Sequence, residues 1–469
     1  MSSGASDRSS EASALTWGLL GATVCLFMIR FEPNLLEEGL ILHVAQRMVH
    51  GEALYRDVAS FTGPLPFELL TALFRIFGEE IAVARGAVVV LHGLACASVY
   101  AVALRSGAGT LAHAAAACVA SAPILLFPLV SLFFHTTLAF HLCLIAAYPA
   151  VRATRSVAWA LVAGVVIAFA ALCKQTVGVV LAAGLLAAVA TGAPPGRRVR
   201  QAFFVAFGGA SIALITLAAY ALRGDLSVLV QSIVMLPLSF DETFSTPFVN
   251  FWPPGAFSPD VNANRGLYLP SLYSLQVSVF SPPNRLMILA TQLLYALPFF
   301  GLAATALGAA RGRLPGPTVA HAAVLLALTT NLFPRTDWGH LVFALPPAVV
   351  QLLLVLPVPR EKRRSWRPAI AAALVLALVL GSAGALWLIT RTAVSPRFGP
   401  RVPQRPVTNQ LRGRALATAI HYVRRHVRPG ESIFVARSEP LIYFATDTRN
   451  PTPYSGVIPG MREEQETTI

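Results

Sequence analysis

What most constrains this chain is a repeated pattern of long apolar runs that contain no carboxylate. Eleven such windows lie near residues 14–30, 81–104, 109–129, 131–150, 157–173, 176–192, 201–222, 286–310, 318–333, 341–357 and 368–389, and none of the 22 Asp and Glu residues falls inside one. An apolar helix of about 20 residues matches the hydrocarbon thickness of a bilayer. Within lipid only helices or closed barrels satisfy their own backbone groups. The pattern predicts an α-helical polytopic membrane protein with about eleven transmembrane helices. Charged residues are 12% of the chain, against about 25% in soluble domains.

The net charge of +14 does not point to nucleic acid, because the arginines stand in short clusters between apolar runs and no groove-reading motif accompanies them. With the N-terminus in the cytoplasm, alternation puts Arg105, Arg152, Arg155, Arg197, Arg198, Arg200, Arg311, Arg313, Arg360, Lys362, Arg363, Arg364 and Arg367 inside. The short outer loops keep only Lys174 and Arg335. The positive-inside rule then gives an N-in/C-out orientation. Of the acids, only Asp7, Glu11 and Glu361 fall inside.

The expected organisation is a cytoplasmic tail over 1–13, a membrane module over 14–390 and a small extracytoplasmic C-terminal domain over 391–469. The module carries a first outer loop over 31–80 and a second over 223–285. The first apolar run lacks a small-residue cleavage site and reads as a retained helix. Cys25, Cys96, Cys118, Cys143 and Cys173 lie in or beside apolar runs without metal-site spacing, as small buried residues do.

The first loop holds eight acids and three arginines, a net −5 in a basic protein. Asn34 with Glu37 three residues on is a capping-box pattern, placing Glu37 and Glu38 in a first helical turn. Leu40, Ile41, Val44, Ala45, Met48 and Val49 recur at helical spacing opposite His43, Gln46, Arg47 and His50, until Gly51. After the turn Tyr55-Arg56-Asp57 and the breaker Gly63-Pro64, Pro66 opens a second helix to about Phe77. Two amphipathic helices there are expected to lie in the membrane interface. Glutamates at a helix start also complement the dipole, so spacing alone leaves their role open.

The run EEGLILHVAQRMVHGEALYRDVASFTGPLPFELLTALFRIFG after the first span resembles the first extracytoplasmic loop of GT-C glycosyltransferases, the integral-membrane enzymes that include protein O-mannosyltransferases and lipid A aminoarabinose transferases. CKQT (173–176), PRTDWGHLVFALPP (334–347) and HYVRRHVRPGESIFVARSEPLIYFATDTRNPTPY (421–454) are similar to bacterial members in the same order. The resemblance implies transfer of a sugar from a polyprenyl-phosphate donor to an acceptor hydroxyl on a glycan, lipid or protein, at the outer face of the cytoplasmic membrane. A carboxylate would accept the acceptor's proton as the oxocarbenium-like transition state forms. A phosphate leaving group needs a cation rather than a general acid.

Where the family usually has Asp then Glu, this chain has Glu37 then Glu38. The extra methylene matters, since ~1 Å of misplacement costs on the order of 10²-fold. Glu37, Glu38 and Asp57 all remain candidates for the base, Glu37 first. Asp57 is also the candidate to orient the acceptor, with Arg56, or to hold a divalent metal; no other cofactor is implied. For the donor phosphate the resemblance points to Lys174, one of two lysines in the chain, with Gln175, Arg335 and His340, and to Asp337 as an orienting partner. A snorkelling lysine and an internal Arg–Asp pair are the plainer readings. His92, His135, His141 and His321 read as interhelical hydrogen-bond partners.

The second loop is expected to cover the substrate, Asp241 and Glu242 reading as surface acids, and the tail to hold a helix over about 410–427 and a strand at 432–436 without a catalytic role. A transporter or lipid-glycan flippase is the alternative function. Coupled transporters place acids near the bilayer midplane, which this chain does not. A catalytically inactive protein of the same fold is the third reading.

Overall fold

The structure, a computed structural model, describes residues 3–31, 37–238, 285–312, 314–334, 336, 338–355, 363–392, 398–399, 402–403, 411–435 and 439–455. The helices are α1 (Ser3–Met28), α2 (Glu37–Val49), α3 (Leu65–Phe77), α4 (Ile81–Arg105), α5 (Leu111–Leu125), α6 (His135–Ala153), α7 (Val157–Cys173), α8 (Gln175–Gly192) and α9 (Arg198–Leu222). They continue with α10 (Arg285–Ala310), α11 (Gly316–Thr329), α12 (Leu345–Val355), α13 (Arg363–Thr392), α14 (Leu411–His426) and α15 (Leu441–Thr446).

Every expected apolar window is helical, as α1 and α4 to α13. Among the described residues seven stretches are long and apolar enough to cross a membrane by themselves, and α5, α7 and α12 are shorter apolar helices. The core sits where α4, α5 and α6 pack together, flanked by α1 on α4, α7 on α6 and α8 on α11. Large apolar side chains on the outer helices, such as Leu19, Leu214, Ile215, Val379 and Leu380, are exposed, as lipid-facing residues must be. All five cysteines are free and buried. His92 bonds His141 at 3.0 Å and His321 bonds Gln351 at 2.8 Å, the interhelical partnerships expected of them.

In the first loop the tail covers one of the two helices. Helix α2 is buried along most of its length, its polar side included: Glu38, His43, Gln46 and Arg47 join Ile41, Leu42, Val44 and Met48 in the interior. The reason is the tail. The His43 ring stacks on Tyr443 at 4.9 Å, Gln46 donates to Asp447, and Arg47 donates to the Thr452 carbonyl at 3.0 Å. A Cβ at Gly39 would stand 2.7 Å from the Leu441 nitrogen, so only glycine lets α15 close on α2. The face that sequence assigns to solvent is therefore the docking face for the C-terminal segment. Each apolar side chain covered there adds roughly 1.5–3 kcal/mol.

In the tail the expected helix is α14. The expected strand at 432–436 is only a single bridge from Ser432 to Arg449, with Val435 N–H donating to the Tyr443 hydroxyl instead of a neighbouring strand. A two-residue hairpin pairs Phe398–Gly399 with Val402–Pro403. Asn34, Asp241, Glu242 and most of the second outer loop lie outside the described residues.

Candidate active site

Helix α2 begins at Glu37, and its two glutamates have different surroundings. Glu37 is partly exposed, whereas Glu38 is fully buried. Both Glu38 oxygens are held by Arg85 of α4, from Nε to Oε1 and from Nη2 to Oε2, each at 2.6 Å. The Phe133 amide also donates to Glu38 Oε1 at 3.4 Å. Arg85 reaches the Phe31 carbonyl at 2.6 Å as well, so one guanidinium joins the end of α1, the start of α2 and the second turn of α4. Glu38 thus carries structure, and Glu37 is the partly exposed carboxylate of the pair. Sequence reading passed over Arg85, although an arginine inside an apolar span signals a buried partner.

Phe133 belongs to the connection between α5 and α6, and three residues on Thr136 marks the next feature. Lys174 is the single residue between α7 and α8, with extended backbone at φ −146° and ψ 106°. Its Nζ approaches the Thr136 hydroxyl at 3.5 Å. The Lys174 ammonium and the His340 imidazole both lie within electrostatic range of His135. Lys174, His340, His135 and Thr136 therefore gather beside the segment that Glu38 contacts. Thr136 and His135 had no place among the expected site residues; their position at the start of α6 was visible, their approach to Lys174 was not.

The first loop also touches this corner directly. A Cβ at Gly63 would collide with the Leu172 carbonyl, two residues before Lys174, so the Gly63-Pro64 breaker is where the acidic loop meets the α7–α8 turn. Gln175 points elsewhere, its amide donating to the Ile233 carbonyl at 3.4 Å. Arg335 and Asp337 lie outside the described residues.

Asp57 and Arg56 form a separate group. Asp57 Oδ2 accepts from the Ala53 amide at 2.7 Å, closing the turn, and Arg56 lies 3.3 Å from Oδ1. The amide first and Arg56 second hold the Asp57 carboxyl below its usual range. Arg56 reaches on to the buried Asp225 at 3.2 Å, tying the first loop to the turn that follows α9. Tyr55 adopts a φ of 71°. Such a conformation costs of order 1–3 kcal/mol. Its hydroxyl donates to the Thr62 carbonyl at 2.6 Å and its amide to the Val58 carbonyl at 2.9 Å, which hold it there. Asp57 is thus a turn-building carboxylate. Three metal-ligating side chains among the described residues, His50, Glu79 and Asp447, come together elsewhere.

An apolar groove of about 310 Å³ opens between α7, α8 and α9. It begins at Leu172 and Gly178, on either side of Lys174 in sequence, and runs to Gly164 and Leu186.

Residues 62–221, about a third of the chain, match the family model of dolichyl-phosphate-mannose-protein mannosyltransferases. No curated protein sequence matches. Among solved structures the chain is similar to ArnT from Cupriavidus metallidurans bound to undecaprenyl phosphate, at 13% identity and a TM-score of 0.52, over 94% of this chain and 85% of that one. The apo form of the same protein aligns at 14% identity and a TM-score of 0.47, over 93% of this chain and 86% of that one. Over most of its length the chain thus has a fold similar to that of ArnT, and residues 62–221 within it match the mannosyltransferase family model.

Proposed function

We propose that this protein is a membrane glycosyltransferase that moves a sugar from a polyprenyl-phosphate donor to an acceptor hydroxyl, at the extracytoplasmic face of the cytoplasmic membrane. The observation that carries the reading is the grouping of the Lys174 ammonium with His340, His135 and Thr136, next to the Phe133 segment that contacts Glu38 at the start of α2, one residue from Glu37. The fold relative's bound undecaprenyl phosphate supports a lipid-phosphate donor.

In this reading Lys174 and His340 stabilise the charge that builds on the phosphate as the glycosidic bond breaks. Glu37 accepts the acceptor's proton. Arg85 and Glu38 set the position of α2 and so of Glu37; they touch neither reactant. The groove below Lys174 takes the first isoprenoid units, leaving the phosphate at the corner. Arginine placement supports the orientation, and the absence of carboxylates from the spans favours an enzyme over a coupled transporter.

Mass spectrometry of cell-envelope glycans from a deletion strain tests the function. The expected result is loss of one sugar substituent, restored by the wild-type gene and not by a Glu37→Gln variant. An unchanged envelope, or full rescue by that variant, would overturn it.

A further inference from the structure

At the far end of α2 three metal-ligating side chains from remote segments meet. His50 follows α2, Glu79 lies in the link between α3 and α4, and Asp447 follows α15. One ligand atom from each lies within 4.8 Å of the other two, and His50 Nε2 is 3.4 Å from Glu79 Oε1. The buried Gln46 amide donates to Glu79 Oε2 at 3.0 Å and to Asp447 Oδ1 at 3.2 Å. One oxygen of each carboxylate is thereby fixed, as outer partners fix the ligands of metal sites.

A second observation comes from His43. It is 1% exposed, and neither ring nitrogen has a hydrogen-bond partner. Its spacing puts it on the α2 face shared by Gln46 and His50. The ring approaches the Gln46 side chain without hydrogen-bond geometry and lies within electrostatic range of His50. A buried, unsatisfied imidazole is costly, so the helix face that carries His50 also carries an unmet polar demand.

We propose that His50, Glu79 and Asp447 bind one zinc ion, with water completing the coordination. One imidazole nitrogen with two carboxylates suits a first-row transition ion; calcium takes six to eight oxygens. The half-exposed His50 side chain gives the ion an entry path. The ion's role is to fasten the tail to the first loop. It is not catalytic: the 13-residue α2 separates it from Glu37 by about 20 Å at 1.5 Å per residue.

The test uses tag-free, full-length protein in lipid nanodiscs, stripped with a chelator and titrated with zinc against a chromophoric competitor. We expect one zinc per chain, lost in His50→Ala and Asp447→Asn, and bound about 10–100-fold more weakly in Gln46→Leu. No stoichiometric zinc in the wild type, or equal binding by both ligand variants, would overturn the site. Should the variants misfold, limited proteolysis of the wild type decides the fastening role. Chelation should speed cleavage of the tail, and zinc but not magnesium or calcium should reverse it; equal rates with and without zinc would overturn that role. Because binding and proteolysis need no sugar transfer, they stand or fall apart from the catalytic reading.

Discussion

Arg85 and Glu38 form a two-pronged ion pair, each prong 2.6 Å, with side chains only 1% and 0% exposed. Two charges so far from water are held at large desolvation cost, and such a pair serves geometry more than net stability. Here the geometry is the joint between α1, α2 and α4, one residue from Glu37.

Removing one partner leaves the other charge buried alone. Arg85→Met or Glu38→Gln should lower stability by about 3–5 kcal/mol, read by thermal unfolding in detergent. The double variant Glu38→Leu/Arg85→Met should recover much of that loss and, once folded, retain transfer. A folded double variant with no transfer would make Glu38 more than a structural residue.

Glu37 is predicted to be the base. Glu37→Gln should leave the protein inserted and as stable as wild type, and lower transfer by roughly 10²–10⁴-fold, the usual contribution of general base catalysis. Glu37→Asp, which restores the shorter side chain usual in the family, should keep a measurable rate. Transfer in vitro from a polyprenyl-phosphate sugar checks both. Wild-type rates in Glu37→Gln would remove the assignment.

The helices were legible because lipid admits so few backbone solutions: apolar length alone located α1 and α4 to α13. Both helices of the first loop were legible for a similar reason, α2 from its periodicity and α3 from Pro66, which the structure starts at Leu65. What sequence could not give was the partner of a face. His43, Gln46 and Arg47 read as solvent-facing because polar residues usually are, and only the fold brings Tyr443, Asp447 and Thr452 over them. Lys174 was found from its rarity and position, but its meeting with Thr136 depends on how α6 packs against α7 and α8. The turn around Asp57 was recognised as a turn, while the Ala53 amide that occupies its carboxylate required coordinates.

Lys174 tests the donor side. Lys174→Ala should raise the KM for a polyprenyl-phosphate sugar and weaken binding of the free polyprenyl phosphate by tenfold or more, on the basis of about 1.5–3 kcal/mol for a hydrogen bond to a charged group. Lys174→Arg should retain part of the affinity, because the charge remains while the donor geometry changes. Binding measured in nanodiscs separates this from any effect on the rate. Equal affinity in wild type and Lys174→Ala would exclude a phosphate contact.

Asp57 gives a pH prediction. Its folded carboxyl sits below the ordinary value of 3.8, so its contribution to the turn is present above that value and is lost as pH falls through the lower, folded one. The turn from Ala53 to Thr62 should hold through pH 5–7 and loosen below about pH 4, seen as faster amide exchange after correction for intrinsic rates. The effect should be small, since the side chain is 39% exposed and solvent screens such groups. Asp57→Asn keeps an oxygen for the Ala53 amide, so it should preserve the turn and transfer while abolishing the acid response. Asp57→Ala should loosen the turn at every pH and lower transfer with it. If Asp57→Asn keeps the turn but stops transfer, the charge itself acts on the substrate and Asp57 returns to the reacting centre.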